Sequence, residues 1–352
     1  SINSISNRSI TWEITTVTNL GLDFNLMHNR LTGSAEVYNK LTDGILLSIP
    51  ASLTNGNVGI PSQNAAVVRN RGAELQLRWN DHIGTDFNYY VSANAAYNQN
   101  RVVDYAVPVV GTYNIEEGQP LYYLNVFEVD RMIRTDADVA YVDQLLQSKP
   151  NLFSSWARPQ KGDLLYVDAN NDGVLNANDR TKHSNGNAPS WTYGISLGFD
   201  WKGFDFSMMF NGVADWKDIY MDNLVWNPSP RYGYSLNKYI KDNAYQEGVN
   251  ELTAKFPRPL LYTADATRNR RLSDFWVYDR AYFRLRNVQL GYTIPSAITR
   301  KAAISNLRIF CSVDNAFTIT NWPSFDPEVA RSRANMNAPV TRMTTFGINI
   351  TL

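Results

Sequence analysis

The chain has 352 residues, enough for two ordinary domains or one large all-β domain. Its 33 basic residues balance 33 acidic ones, so it lacks the electrostatic footprint of a nucleic-acid-binding protein. The single cysteine, Cys311, excludes an intramolecular disulfide framework, and no Cys/His spacing suggests zinc. Aromatic residues make up 12% of a chain whose mean hydropathy is polar, a pairing that suits strands with one apolar and one wet face. No apolar run approaches the roughly 18 residues of a membrane helix, a test that leaves membrane strands open. The opening SINSISNRSITWE has neither the basic nor the apolar region of a signal peptide, so the chain is expected to be cytoplasmic or to lack its true beginning.

Taken in order, the chain shows a series of period-two segments. Leu20, Leu22, Phe24 and Leu26 alternate with polar residues; after His28-Asn29-Arg30, Leu31, Gly33, Ala35 and Val37 do the same. Ala73, Leu75, Leu77 and Trp79 follow, then Phe87, Tyr89, Val91, Ala93, Ala95 and Tyr97. WTYGISLGFDWKGFDFSMMF, residues 191 to 210, is two such runs joined at Lys202-Gly203, a hairpin signature broken only by Met209. YFRLRNVQLGYTI (282 to 294) shifts phase near Arg286-Asn287, where a bulge is expected. Leu307, Ile309, Cys311 and Val313 alternate with Phe310 on the polar side, and Phe346, Ile348, Ile350 and Leu352 close the chain.

The connections alternate by length. Those at 28 to 30, 81 to 85, 202 to 203 and 294 to 303 are short, whereas 47 to 65, 98 to 189, 214 to 276 and 319 to 340 are long. Short turns on one side and long loops on the other are how transmembrane barrels are built. VFEVD (126 to 130) and DLLYVD (163 to 168) look like strands, but either alone would break the alternation. Both are therefore placed in one external excursion, which leaves about nine spanning strands.

The hairpin tests what solvent meets the apolar face. Trp191 to Trp201 extends about 33 Å at roughly 3.3 Å per residue, and a tilt of about 40° reduces this to roughly 25 Å of membrane. Trp191 with Tyr193 and Phe199 with Trp201 then sit at the two interfaces as girdles, with Ile195 and Leu197 in hydrocarbon. The competing reading is a soluble antiparallel sheet with one buried face. Loop alternation and the hydroxyl-rich opposite face favour lipid.

One motif suggests a metal. In DANNDGVLNAND, Asp168, Asn170 and Asp172 hold positions 1, 3 and 5 of a calcium loop, Gly173 gives the turn, Val174 offers its carbonyl and Asp179 stands at 12. The alternative is a metal-free Asx turn. Calcium here is expected to rigidify an external loop. His28, His82 and His183 are scattered, no nucleophile elbow or phosphate loop is present, and Glu116-Glu117 reads as a solvated pair, so no catalytic residue is expected. Trp226, Tyr232, Tyr234 and Trp276 offer rings for sugar or peptide stacking, or for packing of their own loop.

Several runs, in order, resemble landmarks of the SusC/RagA family of TonB-dependent outer-membrane transporters. They are TWEITTVTNLGLDF (11 to 24), VVRNRGAELQL (67 to 77), GDLLYVDANNDGVLNANDR (162 to 180), DRAYFRLRNVQLGYTIP (279 to 295) and SVDNAFTITNWPSFDPEV (312 to 329). Ala316 stands where the family usually has leucine, and Leu352 where an aromatic is common. The resemblance implies an all-β fold, the C-terminal part of an antiparallel barrel of about 22 strands. The whole of 1 to 352 is then barrel with external loops 98 to 189 and 214 to 276, and the plug and N-terminal strands lie outside it. It further implies import of oligosaccharides or peptides across the outer membrane of a Gram-negative bacterium of the Bacteroidetes type. A SusD-like surface lipoprotein would serve as lid, and TonB-ExbB-ExbD would act through the missing N-terminal part. Two other readings compete: a SusC-like scaffold subunit of a larger envelope complex, and a soluble calcium-dependent binding module.

Overall fold

A computed structural model of the chain describes residues 7–47, 61–110, 113–220, 238–260, 268–323, 326–329 and 340–352. Among them, nine long strands form one sheet: β1 (Ile14–Leu26), β2 (Leu31–Leu47), β3 (Gln63–Ile83), β4 (Phe87–Tyr105), β5 (Trp191–Trp201), β6 (Phe204–Ala214), β7 (Tyr282–Thr293), β8 (Asn306–Thr320) and β9 (Met343–Thr351). Each pairs antiparallel with its neighbour in sequence, so the sheet is an uninterrupted meander and a transmembrane barrel wall. Leu20 and Ile348 on its apolar face are 74% and 64% exposed, as suits a face that meets lipid.

Local chemistry fixes the register. At the β5–β6 turn Lys202 and Gly203 both have positive φ, 47° and 88°, the two-residue hairpin geometry whose twist matches the flanking strands. Tyr97, Trp191 and Ala214 consequently lie side by side at one end, and Phe87, Trp201 and Phe204 at the other. The bulge expected near Arg286 is present: the β7–β8 pairing slips between Leu285 and Asn287, and the β6–β7 pairing between Met209 and Phe210. Across β5 the register runs unbroken through Met208, Met209 and Phe210, so Met209 is an apolar residue on the polar face and not a change of phase. Phe310, on the polar face, lays its ring over Gly347, where an added Cβ would approach it to 2.3 Å.

VFEVD and DLLYVD lie outside the wall, in small two- and three-stranded sheets within the excursion between β4 and β5. Two boundaries differ from the sequence reading. β4 continues to Tyr105, so the first excursion begins after 105 rather than at 98. Val277–Asp279 pairs with Lys217–Ile219 in a separate ribbon, so β7 begins at Tyr282 rather than 277. Strand pairing here runs past the hydrocarbon, where neither face needs to stay apolar and alternation fades.

The excursions supply a conventional core. Leu124 and Val126 from the first pack with Ile219, Ile240, Phe256 and Trp276 from the second. A neighbouring cluster joins Phe127, Leu164, Tyr166 and Leu175 to Tyr245 and Ala254. The helix Asp136–Ser148, started by a Thr135–Asp138 capping box, closes the far side with Val142. The two excursions are therefore one folded cap.

Candidate functional site

The aromatic rows at the two ends of the hairpin continue into the neighbouring strands. At the inner end Phe199 stacks between Phe87 and Phe206, at 5.4 and 5.2 Å, and Phe204 meets Tyr292 at 4.6 Å. At the outer end Trp191 contacts Tyr97 at 4.8 Å, and Phe283 stacks on Phe210 at 5.0 Å. Tyr193 lies beside Phe283 and donates its hydroxyl to the Tyr282 carbonyl at 3.1 Å. The opposite face, toward the lumen, is polar. Arg308 binds Asp205 through Nε at 2.8 Å and Nη2 at 2.5 Å, crossing directly over Gly291. A Cβ at Gly291 would come within 2.3 Å of the Asp205 carboxylate, so this bridge needs glycine.

At the outer mouth, Asp326-Pro327-Glu328 folds back over the start of β7. Arg284, almost fully buried, binds Asp326 at 2.5 Å and Glu328 at 2.7 Å; Arg286 adds a second bond to Glu328 at 2.7 Å. Tyr282 donates its hydroxyl to Glu328 at 2.5 Å, and Arg280 reaches the Pro327 carbonyl and, at 2.8 Å, Asp218. Burial alone would raise the Glu328 carboxyl, but the Tyr282 hydroxyl and the two guanidiniums hold it below the usual carboxylate range. The sequence presented these runs as separate landmarks and carried no signal that they meet.

A second buried carboxylate ties the two excursions together. Asp163, with no exposed surface, accepts from Arg258 at 2.6 and 3.0 Å, Arg268 at 2.9 Å, Asn269 at 3.0 Å and the Gln160 amide at 2.9 Å. Burial by itself would push this carboxyl up, and these donors hold it below the ordinary value. Sequence reasoning missed Asp163, because its partners are about a hundred residues away.

The 168 to 179 loop is compact. Gly173 takes φ +84°, and Asn170 and Asp172 form successive Asx turns to the amides of Asp172 and Val174, at 3.0 and 2.9 Å. Asp179 is fully buried and accepts from the amides of Ala169 and Asn176, at 3.0 and 2.7 Å. Asp168 is buried; its Oδ2 accepts from Lys149 Nζ at 2.6 Å and the Gly173 amide at 3.0 Å, while its Oδ1 has no hydrogen-bond partner. Burial works against the Asp168 anion, but Lys149 and the Gly173 amide keep its carboxyl below the usual range. Among the described residues no three Asp, Glu, His or Cys side chains group as a metal cluster. The donor set thus fits a cation in part: Asp168 has an oxygen to offer, whereas Asp179 is spent on the backbone.

Other expected site residues fare differently. Trp276 is 1% exposed and donates its indole N–H to the Asn269 carbonyl at 3.2 Å, so it is a core residue whose ring cannot meet a ligand. Trp226, Tyr232 and Tyr234 lie outside the described residues. His28 and His82, remote in sequence, share a polar cavity of about 450 Å³ at the inner end of the wall with Arg78, Asp81 and Asp200. His183 stands apart in the cap, with Nε2 2.8 Å from the Thr181 hydroxyl.

No family model matches the chain. It is 29% identical over 95% of its length to a TonB-dependent receptor of Formosa agariphila, covering 34% of that protein. It is 25% identical over 98% of its length to the TonB-dependent receptor SusC of Bacteroides thetaiotaomicron, covering 32% of it. The chain thus spans about a third of the length of the curated relatives it matches. Among solved structures, the RagAB peptide transporter superposes with a TM-score of 0.75 at 22% identity, over 99% of this chain and 36% of that one. The open-open state of the RagAB peptide importer gives 0.76 at 21% identity, over all of this chain and 36% of that one. The resemblance to SusC/RagA-type TonB-dependent transporters is borne out, and the fold is that of part of their barrel. These relatives are named as receptors and transporters, not enzymes.

Proposed function

We propose that the chain is the C-terminal part of a TonB-dependent, SusC-like importer of oligosaccharides or peptides in the outer membrane of a Bacteroidetes-type bacterium. The observation that carries this reading is similarity to TonB-dependent receptors over 95% of the chain, joined to a sheet with one girdled apolar face and one polar face. In this role the polar face lines the route of the substrate, and the apolar face holds the wall in lipid. The folded cap seats a SusD-like surface lipoprotein, and energy from TonB-ExbB-ExbD enters through parts of the relatives that this chain does not span. The RagAB structures are described as peptide transporters, which supports an importer and leaves the glycan alternative to experiment.

Calcium in the 168 to 179 loop belongs to the same proposal. The unpartnered Asp168 oxygen supports it, with Asn170, Asp172 and the Val174 carbonyl as further donors; Lys149 would have to release Asp168. A bound calcium would supply a fixed positive charge that stiffens the loop.

The test of the importer is uptake of labelled oligosaccharides and peptides by whole cells with and without the full-length protein. The expected result is energy-dependent uptake of one class that disappears with the protein. Unchanged uptake of every substrate, with the protein shown to be in the outer membrane, replaces the importer by a SusC-like scaffold subunit.

A further inference from the structure

Where β3 and β4 leave the membrane, their lumen faces meet the last loop before β5 in a cavity of about 260 Å³. Asn70, Asn98 and Asn100 come from the strands, and Asn185, Asn187 and Tyr122 from the cap. The lumen assignment follows from register: Tyr97 pairs with Trp191 on the lipid face, so Asn98 points the other way, and Asn70 lies opposite Asn100. Among the described residues no Asp, Glu, Lys, Arg or His lines the cavity, and Asn185 is held by a bond to Asp215 at 3.1 Å. Asn98 accepts from the Tyr38 hydroxyl at 3.1 Å, and Asn100 holds Asn70 at 2.9 Å and the Leu121 amide at 2.9 Å, so the strand carboxamides are held in place.

Two residues are held in place without being used. Asn187 engages the protein through its backbone carbonyl, which accepts from Trp216 at 3.0 Å, and its exposed carboxamide has no partner among the described residues. Tyr122 has a φ of +55°, a backbone state that a bulky side chain enters only at a cost, and its ring is 45% exposed. A strained backbone that displays an aromatic ring beside the unspent carboxamide of Asn187 is a feature of binding sites.

We infer that this cleft is a binding subsite for a neutral, hydroxyl-rich ligand segment, an uncharged oligosaccharide; this deepens the importer reading and rests on it. The Asn187 carboxamide offers both donors and an acceptor, and the Asn98 and Asn100 amides each keep an N–H beyond the bonds they make in the protein, which matches hydroxyl groups that donate and accept in turn. The Tyr122 ring suits the apolar face of a sugar. A charged segment, such as a uronic acid or an ionised peptide side chain, would be desolvated here with no countercharge. The volume lies below the roughly 300–1,000 Å³ of a complete small-molecule pocket, so the cleft takes one segment of a longer chain.

The test uses the purified full-length transporter. It is offered neutral hexasaccharides of glucose, mannose, xylose and fructose, uronic-acid hexasaccharides, and a random hexapeptide pool, with binding read by calorimetry. The expected result is binding of a neutral member, weakened at least about ten-fold by Tyr122→Ala and by Asn187→Asp and kept within about two-fold by Tyr122→Phe. Asn187 makes no side-chain bond among the described residues, so its variant reports on the cleft even if Tyr122→Ala disturbs the loop. Neutral binding untouched by Asn187→Asp and Tyr122→Ala overturns the cleft and leaves the importer standing. Binding confined to peptides or uronic acids overturns the ligand class. Absence of any binding, together with absence of any cellular uptake, overturns the importer and this inference with it.

Discussion

The wall and the cap satisfy their apolar residues in different ways. In the wall, Leu20, Ile348 and the girdle rings point outward, stability comes from the antiparallel ladder, and none of the wall strands contributes to the three buried clusters. In the cap, Leu124, Phe256 and Trp276 are turned inward against residues from a distant excursion, as in a soluble domain. The wall therefore tolerates polar residues wherever they face the lumen, whereas the cap tolerates no loss of a buried partner. The difference also separates two kinds of charge pairing. Half-buried Asp205 and Arg308 bridge two strands of one sheet across the strand between them, while the fully buried Asp163 joins the two excursions through Arg258 and Arg268.

The sharpest break removes the second excursion, 214 to 276. It carries Ile219, Ile240, Phe256 and Trp276 of the shared core and both guanidiniums on Asp163. The first excursion should lose its protease resistance while the wall still assembles, since the entropy of loop closure changes by only about 0.6 kcal/mol per doubling of length. A shortened protein whose 113 to 182 segment stays protected would contradict a shared cap. Uptake and lipoprotein docking are expected to vanish with it, because the whole cap is disturbed.

Asp163→Ala removes the buried carboxylate that Arg258 and Arg268 share between the two excursions and should destabilise the cap by about 3–5 kcal/mol. Hydrogen exchange of the cap and heat-resistant migration of the barrel separate the two regions; equal loss in both would erase the contrast. Leu197→Arg places a charge at hydrocarbon depth and should cost the wall about 2–4 kcal/mol, whereas Ser196→Arg, facing the lumen, should cost much less. Equal outer-membrane yields of the two variants would count against the lipid-facing register.

Acid should open the cap before the wall. The Asp163 carboxyl lies below its ordinary value in the folded protein. The stability it contributes to the cap is present above the unfolded carboxylate range of about 4 and is lost as pH falls through the folded value. Proteolysis at graded pH should therefore show the cap opening only below about pH 4, and Asp163→Asn should flatten that dependence. The smallest effect expected is that of Asp168→Ala with Asp172→Ala, which should abolish calcium in the 168 to 179 loop while leaving the wall and most of the cap folded. Elemental analysis of the intact protein showing no calcium would remove the metal, leaving Lys149 as the cation that serves Asp168.

The sequence by itself determined the wall, because a strand with lipid on one face and water on the other writes its environment into every second residue. The alternation in 191 to 210, the Lys202-Gly203 turn, the bulge near Arg286 and the exclusion of 126 to 130 and 163 to 168 from the wall were all legible locally. Strand ends beyond the membrane were not, since Asn98 to Tyr105 has no apolar face to mark it. Tertiary structure alone decided the cap. Trp276 reads equally as a ligand platform or a core residue until Phe256 and Leu124 are seen against it. Asp163 reads as one more loop carboxylate until Arg258 and Arg268 arrive, and Asn70, Asn98 and Asn187 become one cleft only when strand and loop meet. Contacts between residues far apart in the chain leave no periodicity behind, so only the fold could bring them together.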